Sequence, residues 1–227
     1  MRAKSYLKAA TLGCFGLLTL AATTTNAWAE GPKFPDNLYL TASVGQSTMD
    51  MDDWEGFSVN DDDTSYSIGL GFDFNKYLAI EAGYIDLGEV SATISGGFTG
   101  TYQGLPISAT GTLTASAESD GFYFGPQLNI PATDALDFYV KAGYLAWDMD
   151  STATASGTMT YAGTVYAVNE TATVSDDGYD PYLGLGLSFD VSNTWSVKAD
   201  WVRYIDVDES DIDVFAAGVI WKFGKLR

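Results

Sequence analysis

The chain has 227 residues, 46% of them hydrophobic, and its 30 acidic and 11 basic side chains give a formal net charge of −19. An acid excess of this size repels nucleic-acid phosphates, which argues against a DNA or RNA partner. The sequence has no histidine and one cysteine, Cys14. Ser-His-Asp or Cys-His catalysis and histidine-bound metals are therefore excluded, and no cofactor is expected.

The N-terminus predicts a signal peptide over residues 1–29. An apolar stretch at residues 9–22 follows three basic residues: Arg2, Lys4 and Lys8. Ala27-Trp28-Ala29 then supplies a small-residue cleavage site, and the stretch is too short for a membrane anchor. Lipid attachment at Cys14 is the weaker alternative, since the apolar core continues beyond it. The mature domain, 30–227, then has eight bases against 30 acids, a charge of −22.

The mature chain is predicted to be all-β. No segment after Glu30 has the 3.6-residue apolar period of a helix, whereas apolar and polar residues alternate in runs separated by turn residues. The run at 66–74 is the clearest, with Tyr, Ile, Leu and Phe on one face and Ser, Gly and Asp on the other. Eight strands are predicted at 38–47, 64–74, 77–87, 121–130, 137–148, 181–190, 194–204 and 213–223.

Aromatic residues on the apolar faces favour a transmembrane barrel over a soluble sandwich. In an up-and-down antiparallel arrangement they collect at the two strand ends. The outer group is Tyr66, Tyr84, Phe122, Tyr144, Trp201 and Phe215, and the inner group is Phe74, Phe138, Phe189, Trp195, Trp221 and Phe223. Such rings lie at the two lipid–water interfaces, across an apolar band of about 25 Å. An even number of strands also lets the first and last strands pair and close the sheet.

The connections between the predicted strands alternate in length. Short turns are expected at 75–76, 131–136 and 191–193, and long external connections at 48–63, 88–120, 149–180 and 205–212. The two longest are rich in Ala, Thr, Gly and Ser, and we expect them to be hairpins that project beyond the membrane. A ten-stranded barrel that includes part of these segments is the alternative.

The strands also resemble the membrane domain of the outer membrane protein A superfamily over essentially the whole mature chain. The resemblance is carried by residues 37–42, 75–84, 142–144 with Trp147-Asp148, and 193–201. It covers the barrel domain only. It implies a monomeric barrel of the bacterial outer membrane, surrounded by lipid and lipopolysaccharide.

The last strand contains a motif similar to the C-terminal signal of that superfamily, G-x-x-aromatic-x-aromatic. Gly218, Trp221 and Phe223 occupy its three defining positions. The resemblance implies that the barrel-assembly machinery reads these residues.

Four charged residues are expected inside the barrel by strand parity: Glu81, Lys141, Lys198 and Asp200. An eight-stranded barrel is just wide enough to be filled by side chains, so the sequence predicts a lumenal salt-bridge network. The alternative is that these residues line a narrow water path and select ions.

Acidic residues cluster in the predicted external connections. The clusters are Asp50, Asp52, Asp53 and Glu55; Asp61, Asp62 and Asp63; Asp148 and Asp150; Asp176, Asp177 and Asp180; and Asp206, Asp208, Glu209, Asp211 and Asp213. They are expected to be solvated. Binding of Ca²⁺ or Mg²⁺ is the alternative, although segment 206–213 has Asp211 where a calcium loop requires glycine.

The sequence therefore predicts a structural, non-enzymatic outer-membrane barrel with acidic surface loops. Barrel enzymes of similar architecture employ histidine, which this chain lacks. A small porin that passes ions or small solutes, and a surface adhesin or receptor, are the two alternatives.

Overall fold

The computed structural model describes Pro35, residues 37–49 and residues 58–223. The expected signal peptide and four acids of the first cluster, Asp50, Asp52, Asp53 and Glu55, lie outside these residues. No helix within the described ranges has the length and apolar character needed to cross a membrane.

The described chain consists of antiparallel strands. They are β1 Leu38–Met49, β2 Ser58–Asn60, β3 Asp62–Asn75, β4 Leu78–Tyr102, β5 Leu105–Pro131, β6 Leu136–Tyr161, β7 Thr164–Asp190, β8 Trp195–Val207 and β9 Ser210–Lys222. The three-residue β2 pairs with β4 beyond the part of β4 that pairs with β3. β2 thus continues the line of β3, and the other eight strands form the barrel.

The eight strands close into a ring. Each pairs with its neighbours in the chain, and β1 pairs with both β3 and β9, so that Ser43 lies opposite Ser67 on one side and Gly218 on the other. Closure gives every strand two partners at the level of the membrane. This confirms the predicted eight-stranded up-and-down barrel, and the ten-stranded alternative is wrong.

The two longest predicted connections are continuous β-ladders. β4 and β5 stay paired as far as Tyr102 and Leu105, and β6 and β7 as far as Tyr161 and Thr164. Each hairpin ends in a two-residue turn with positive φ angles, Gln103-Gly104 and Ala162-Gly163. The predicted hairpins at 88–120 and 149–180 are confirmed, but their arms are regular strands.

The prediction of a long connection at 205–212 is wrong. β8 extends to Val207 and β9 begins at Ser210, so only Asp208 and Glu209 form the loop. Both have positive φ angles, 47° and 66°. The many acidic residues made these strand ends resemble a loop in the sequence, because β-strands usually disfavour aspartate.

Side chains on the outer surface of the barrel form the expected aromatic contacts. At the inner end Trp195 stacks on Trp221, with ring centroids 5.8 Å apart, and Trp221 contacts Phe223 at 4.8 Å. At the outer end Tyr84 meets Phe122 edge-on at 5.3 Å. Aromatic rings that join neighbouring strands at both ends fit the two lipid–water interfaces.

Strands β5 and β6 approach each other closely where two glycines lie side by side. A Cβ atom on Gly143 would be 2.1 Å from the carbonyl oxygen of Phe124 and 2.8 Å from both the Cα of Gly125 and a ring carbon of Tyr182. Backbone atoms of a closed ladder cannot withdraw from such a contact. This part of the barrel wall therefore requires glycine.

We expect Gly143→Val to disrupt the barrel, at a cost of about 3 kcal/mol or more in the free energy of unfolding, because overpacking here forces two backbones apart. Urea unfolding and heat-modifiable gel migration would measure the loss. Gly100→Val is the control, since a Cβ atom at Gly100 meets nothing within 4 Å. An equal effect of both substitutions would contradict this account.

The barrel lumen as the candidate functional site

Along each strand, every second side chain points into the lumen. The four predicted residues lie there on β4, β6 and β8, with exposed fractions of 4% for Glu81, 9% for Lys141, 7% for Lys198 and 7% for Asp200. Their two acids and two bases carry no net charge together. Asp73 on β3, 8% exposed, is a further buried lumenal acid that the sequence analysis did not predict.

Asp200 is the centre of the charged group. Its Oδ2 atom lies 2.8 Å from Nζ of Lys141 and 3.4 Å from Nζ of Lys198. Glu81 lies apart from these three residues, and its Oε1 accepts a hydrogen bond of 3.0 Å from the Tyr123 hydroxyl. Buried charges are tolerated only when they are paired and hydrogen-bonded, and the Lys-Asp-Lys triad meets that requirement.

Little open space remains next to the triad. A cavity of ≈ 20 Å³ borders Lys141, Lys198, Asp200 and Tyr123. A water molecule requires about 10–15 Å³ by the same measure, so this cavity has room for about one. The triad is packed as part of the interior.

The outer half of the lumen is filled by apolar side chains, which we call the apolar cap. Its members are Met49, Ile85, Leu87, Tyr123, Leu145, Trp147, Met149, Tyr182, Val202, Tyr204, Val207, Ile212 and Val214. Leu145 and Val207 have no exposed surface. At the outer end Trp147 lies against Gly178 and its Nε1 donates a hydrogen bond of 2.7 Å to Asp180.

The apolar cap was missed in the sequence, although a signal was present. After Gly83, the inward positions that follow Glu81 on β4 are Ile85 and Leu87, and after Gly143 those that follow Lys141 on β6 are Leu145, Trp147 and Met149. Inward positions of these strands are therefore large and apolar above the charged layer. The lumen changes from polar to apolar along its axis.

Comparison with known proteins agrees with the ring of strands. A model of the OmpA-like transmembrane domain matches residues 34–226. The chain belongs to this family. It is therefore an outer-membrane β-barrel of bacteria.

One relative of this OmpA-like chain is outer membrane protein A of Serratia marcescens, which is 22% identical over 232 residues. The alignment covers 99% of the chain and 57% of that protein, so the chain spans little more than half of its relative's length.

Several solved barrels are similar at low identity. OprG of Pseudomonas aeruginosa is 12% identical with a TM-score of 0.45, and 82% of this chain and 96% of OprG are covered. The N-terminal β-barrel of OprF from Pseudomonas aeruginosa is 11% identical with a TM-score of 0.43 and coverages of 82% and 96%. Ail of Yersinia pestis is 12% identical with a TM-score of 0.43 and coverages of 81% and 96%.

The C-terminal motif runs along β9, where this strand closes on β1, from Gly218 at the level of Lys198 to Trp221 and Phe223 at the inner end. A Cβ atom on Gly218 would be 2.3 Å from the carbonyl oxygen of Ala42, so only glycine fits there. Trp221 stacks on Trp195, and the backbone N–H of Phe223 donates to the carbonyl of Leu38 at 3.0 Å. Lys222 points the other way and pairs with Asp190 at 2.7 Å.

Acidic residues form rows across the base of the external hairpins. Asp86, Asp120, Asp148 and Asp177 are successive cross-strand neighbours on β4 to β7. Partial burial, together with the carboxylates of Asp120 and Asp177, raises the pKa of Asp148 above its usual range. Sequence reasoning assigned Asp148 and Asp177 to separate clusters and missed Asp86 and Asp120, which only the register brings together.

Other external acids are held by the protein itself. Backbone N–H groups of Glu89 and Thr64 donate to Asp63 and lower the pKa of its carboxyl group. Among the described residues, no group of three or more carboxylates is arranged to hold a metal ion.

The segment that resembles a calcium loop, 206–213, is a hairpin braced by Arg203. Nε of Arg203 donates to Oδ1 of Asp213 at 2.9 Å, and Trp201 Nε1 donates to the same oxygen at 2.9 Å. These hydrogen bonds lower the pKa of the Asp213 carboxyl group, and the bond from Arg203 has the largest effect. Arg203 also pairs with Asp211 at 3.7 Å. The two carboxylates are therefore engaged with the guanidinium group.

We expect Asp200→Asn to destabilise the barrel by about 3–5 kcal/mol, because it leaves two buried lysines without their shared partner. Lys141→Met should cost less, about 1–2 kcal/mol, since Asp200 keeps Lys198 as a partner. Urea unfolding of the refolded protein in lipid vesicles measures both. Equal losses, or a larger loss for Lys141→Met, would show that Asp200 is not the centre of the network.

Proposed function

We propose that this OmpA-like protein is a structural component of the outer membrane, a closed barrel that holds a tall β-sheet outside the cell. The apolar cap is the observation that carries the proposal. Ions avoid an apolar constriction of side-chain width, and Leu145 and Val207 of the apolar cap are fully buried. The charged triad below the cap then stabilises the interior and has no part in conduction.

The small-porin alternative uses Glu81, Lys141, Lys198 and Asp200 as an ion filter. A filter requires a water path on both sides of the charged layer. The cap fills the outer side, and the cavity beside the triad is ≈ 20 Å³. These observations favour a salt-bridge network over a filter.

The proposed role is non-enzymatic. The chain has no histidine, Asp200 is paired with two lysines, and Glu81 accepts a hydrogen bond from a tyrosine hydroxyl, so these two carboxylates are engaged in holding the interior together. The protein would contact lipid and lipopolysaccharide through its outer surface. Its membrane-embedded barrel is complete within one chain, which fits a monomeric unit.

A surface-binding role is the second candidate, because β4 to β7 continue far beyond the outer aromatic ring. The arms from about residue 88 to 102 correspond to about 50 Å of strand at 3.3 Å per residue. Cross-strand hydroxyl contacts brace them, as between Ser95 and Thr112 at 2.9 Å. A paired sheet of this length presents a fixed surface to the medium, in contrast to a solvated loop.

We expect the purified, refolded protein to stay silent in a planar bilayer, whereas Leu145→Ala with Ile212→Ala should produce openings, because these substitutions remove two large side chains of the apolar cap. Leu185→Ala with Ile68→Ala is the control, since it removes the same side-chain types from the lipid-facing surface, where they are 54% exposed. Heat-modifiable migration verifies that each variant is folded. Steady, ion-selective openings of the unaltered protein would instead establish a small porin.

We also propose that Gly218, Trp221 and Phe223 serve as the signal for the barrel-assembly machinery. Phe223→Ala should lower the amount of folded barrel in the outer membrane of expressing cells while refolding in detergent remains normal. Phe98→Ala is the control, because Phe98 is 58% exposed on a distant external strand. If refolding in detergent falls as much as assembly in cells, Phe223 acts through stability alone.

A further inference from the structure

The external sheet of four strands has an open edge. β7 pairs with β6 from Thr164 onward, but its pairing with β8 begins only at Tyr182. Among the described strands, none pairs with the other side of β7 over residues 164–181. The opposite edge of the sheet, on β4, is partly covered because β2 pairs with residues 91–93. β7 therefore presents the longer row of free backbone N–H and C=O groups.

Charged side chains are unevenly distributed along the β4–β5 and β6–β7 hairpins. The acids lie at the base, whereas residues 91–117 and 151–169 contain no charged side chain. On the outer part of β7, residues 164–175, Glu170 is the single charged residue. Copies of a chain with a net charge of −19 repel one another, and this outer sheet is the part where the repulsion is weakest.

The outer part of this open edge, residues 164–175, also lacks two features that usually protect an edge strand. Lysine, proline and β-bulges are the common devices, and residues 164–175 of β7 contain neither lysine nor proline. Val165 and Val174 on this strand are 64% and 68% exposed. An extended, uncharged strand with free backbone groups is suited to pair with another strand.

We propose that β7 is a docking edge for a second copy of this chain, and that copies on two facing membranes pair β7 to β7 over residues 164–174. β7 runs from the external tip toward the membrane. Copies on facing membranes therefore meet antiparallel, whereas copies in one membrane would meet parallel. An antiparallel pair has twofold symmetry and closes on itself.

Charge sets the extent of this overlap. Asp176 and Asp177 follow residue 175, so a longer overlap would bring acids of the two copies together. Placing Thr164 opposite Val174 of the other copy keeps those aspartates outside the pairing. It also places Asn169 opposite Asn169 of the other copy, on the twofold axis, because residues that face each other in a twofold antiparallel pair point to the same side of the sheet. The inference goes beyond the closed-barrel function, which can hold whether or not the sheets associate.

The test is clustering of phosphatidylcholine vesicles that contain the refolded protein, followed by light scattering in physiological salt. Asn169→Asp should lower the clustering rate about tenfold, because two carboxylates then face each other on the twofold axis of every pair. Glu170→Gln should raise the rate, since it removes the acid from the overlap. Gln103→Glu is the control, because it makes the same amide-to-carboxylate change at the turn between β4 and β5.

Disulfide trapping between two populations of vesicles tests the strand direction, with cysteine variants in a Cys14→Ser background. Asn169→Cys lies on the twofold axis with both side chains on the same face, so two copies should cross-link at this position. Thr164→Cys should not cross-link, because its two copies are about 33 Å apart in the antiparallel pair.

Three results would overturn the proposal. The first is that vesicles bearing the unaltered protein stay dispersed. The second is that Gln103→Glu slows clustering as much as Asn169→Asp, which would indicate general charge repulsion. The third is that Thr164→Cys cross-links as readily as Asn169→Cys, which would indicate parallel or unspecific contact.

Discussion

Backbone hydrogen bonding in lipid is the constraint on which the rest of this structure depends. The bilayer core offers no water to N–H and C=O groups, and each unpaired group costs several kcal/mol there. A sheet satisfies this condition only when it closes on itself, and here β1 pairs with β9 as well as β3. Closure of eight strands also fixes the width of the interior.

That width explains the contents of the lumen. An eight-stranded barrel leaves room for side chains and for little else, so the inward side chains pack against one another. Charged residues are acceptable where they neutralise each other, as Asp200 does with Lys141 and Lys198. Above them the inward positions are apolar and pack as an ordinary hydrophobic core. The barrel thus has reversed polarity only at its lipid-facing surface, where apolar side chains point outward. The half of the lumen nearer the cell exterior is packed like the core of a soluble protein.

Outside the membrane the sheet no longer needs to close. Only four of the eight strands continue there, which leaves β7 with an open edge.

The sequence predicted the membrane part of this fold well, because two periodic signals coincide there. Alternation of large apolar residues with small or polar ones located the eight strands, and parity directed Glu81, Lys141, Lys198 and Asp200 inward. Two features could not be predicted in the same way. In the external hairpins both faces meet water, so Ala, Thr, Ser and Gly show little alternation, and regular strands look like loops. The apolar cap escaped notice because residues such as Leu145 and Ile212 carry the same signal whether they face lipid or the lumen. Likewise, only the strand register shows which acidic residues at the base of the hairpins are cross-strand neighbours.

Solute flux across vesicles containing the refolded protein tests the closed lumen most directly. Vesicles are loaded with potassium ions or a small sugar, and the efflux is compared with that of protein-free vesicles of the same lipid. A barrel filled by the apolar cap predicts equal efflux rates at every protein density. An efflux that rises in proportion to the number of folded barrels would contradict the account and make the lumen a channel.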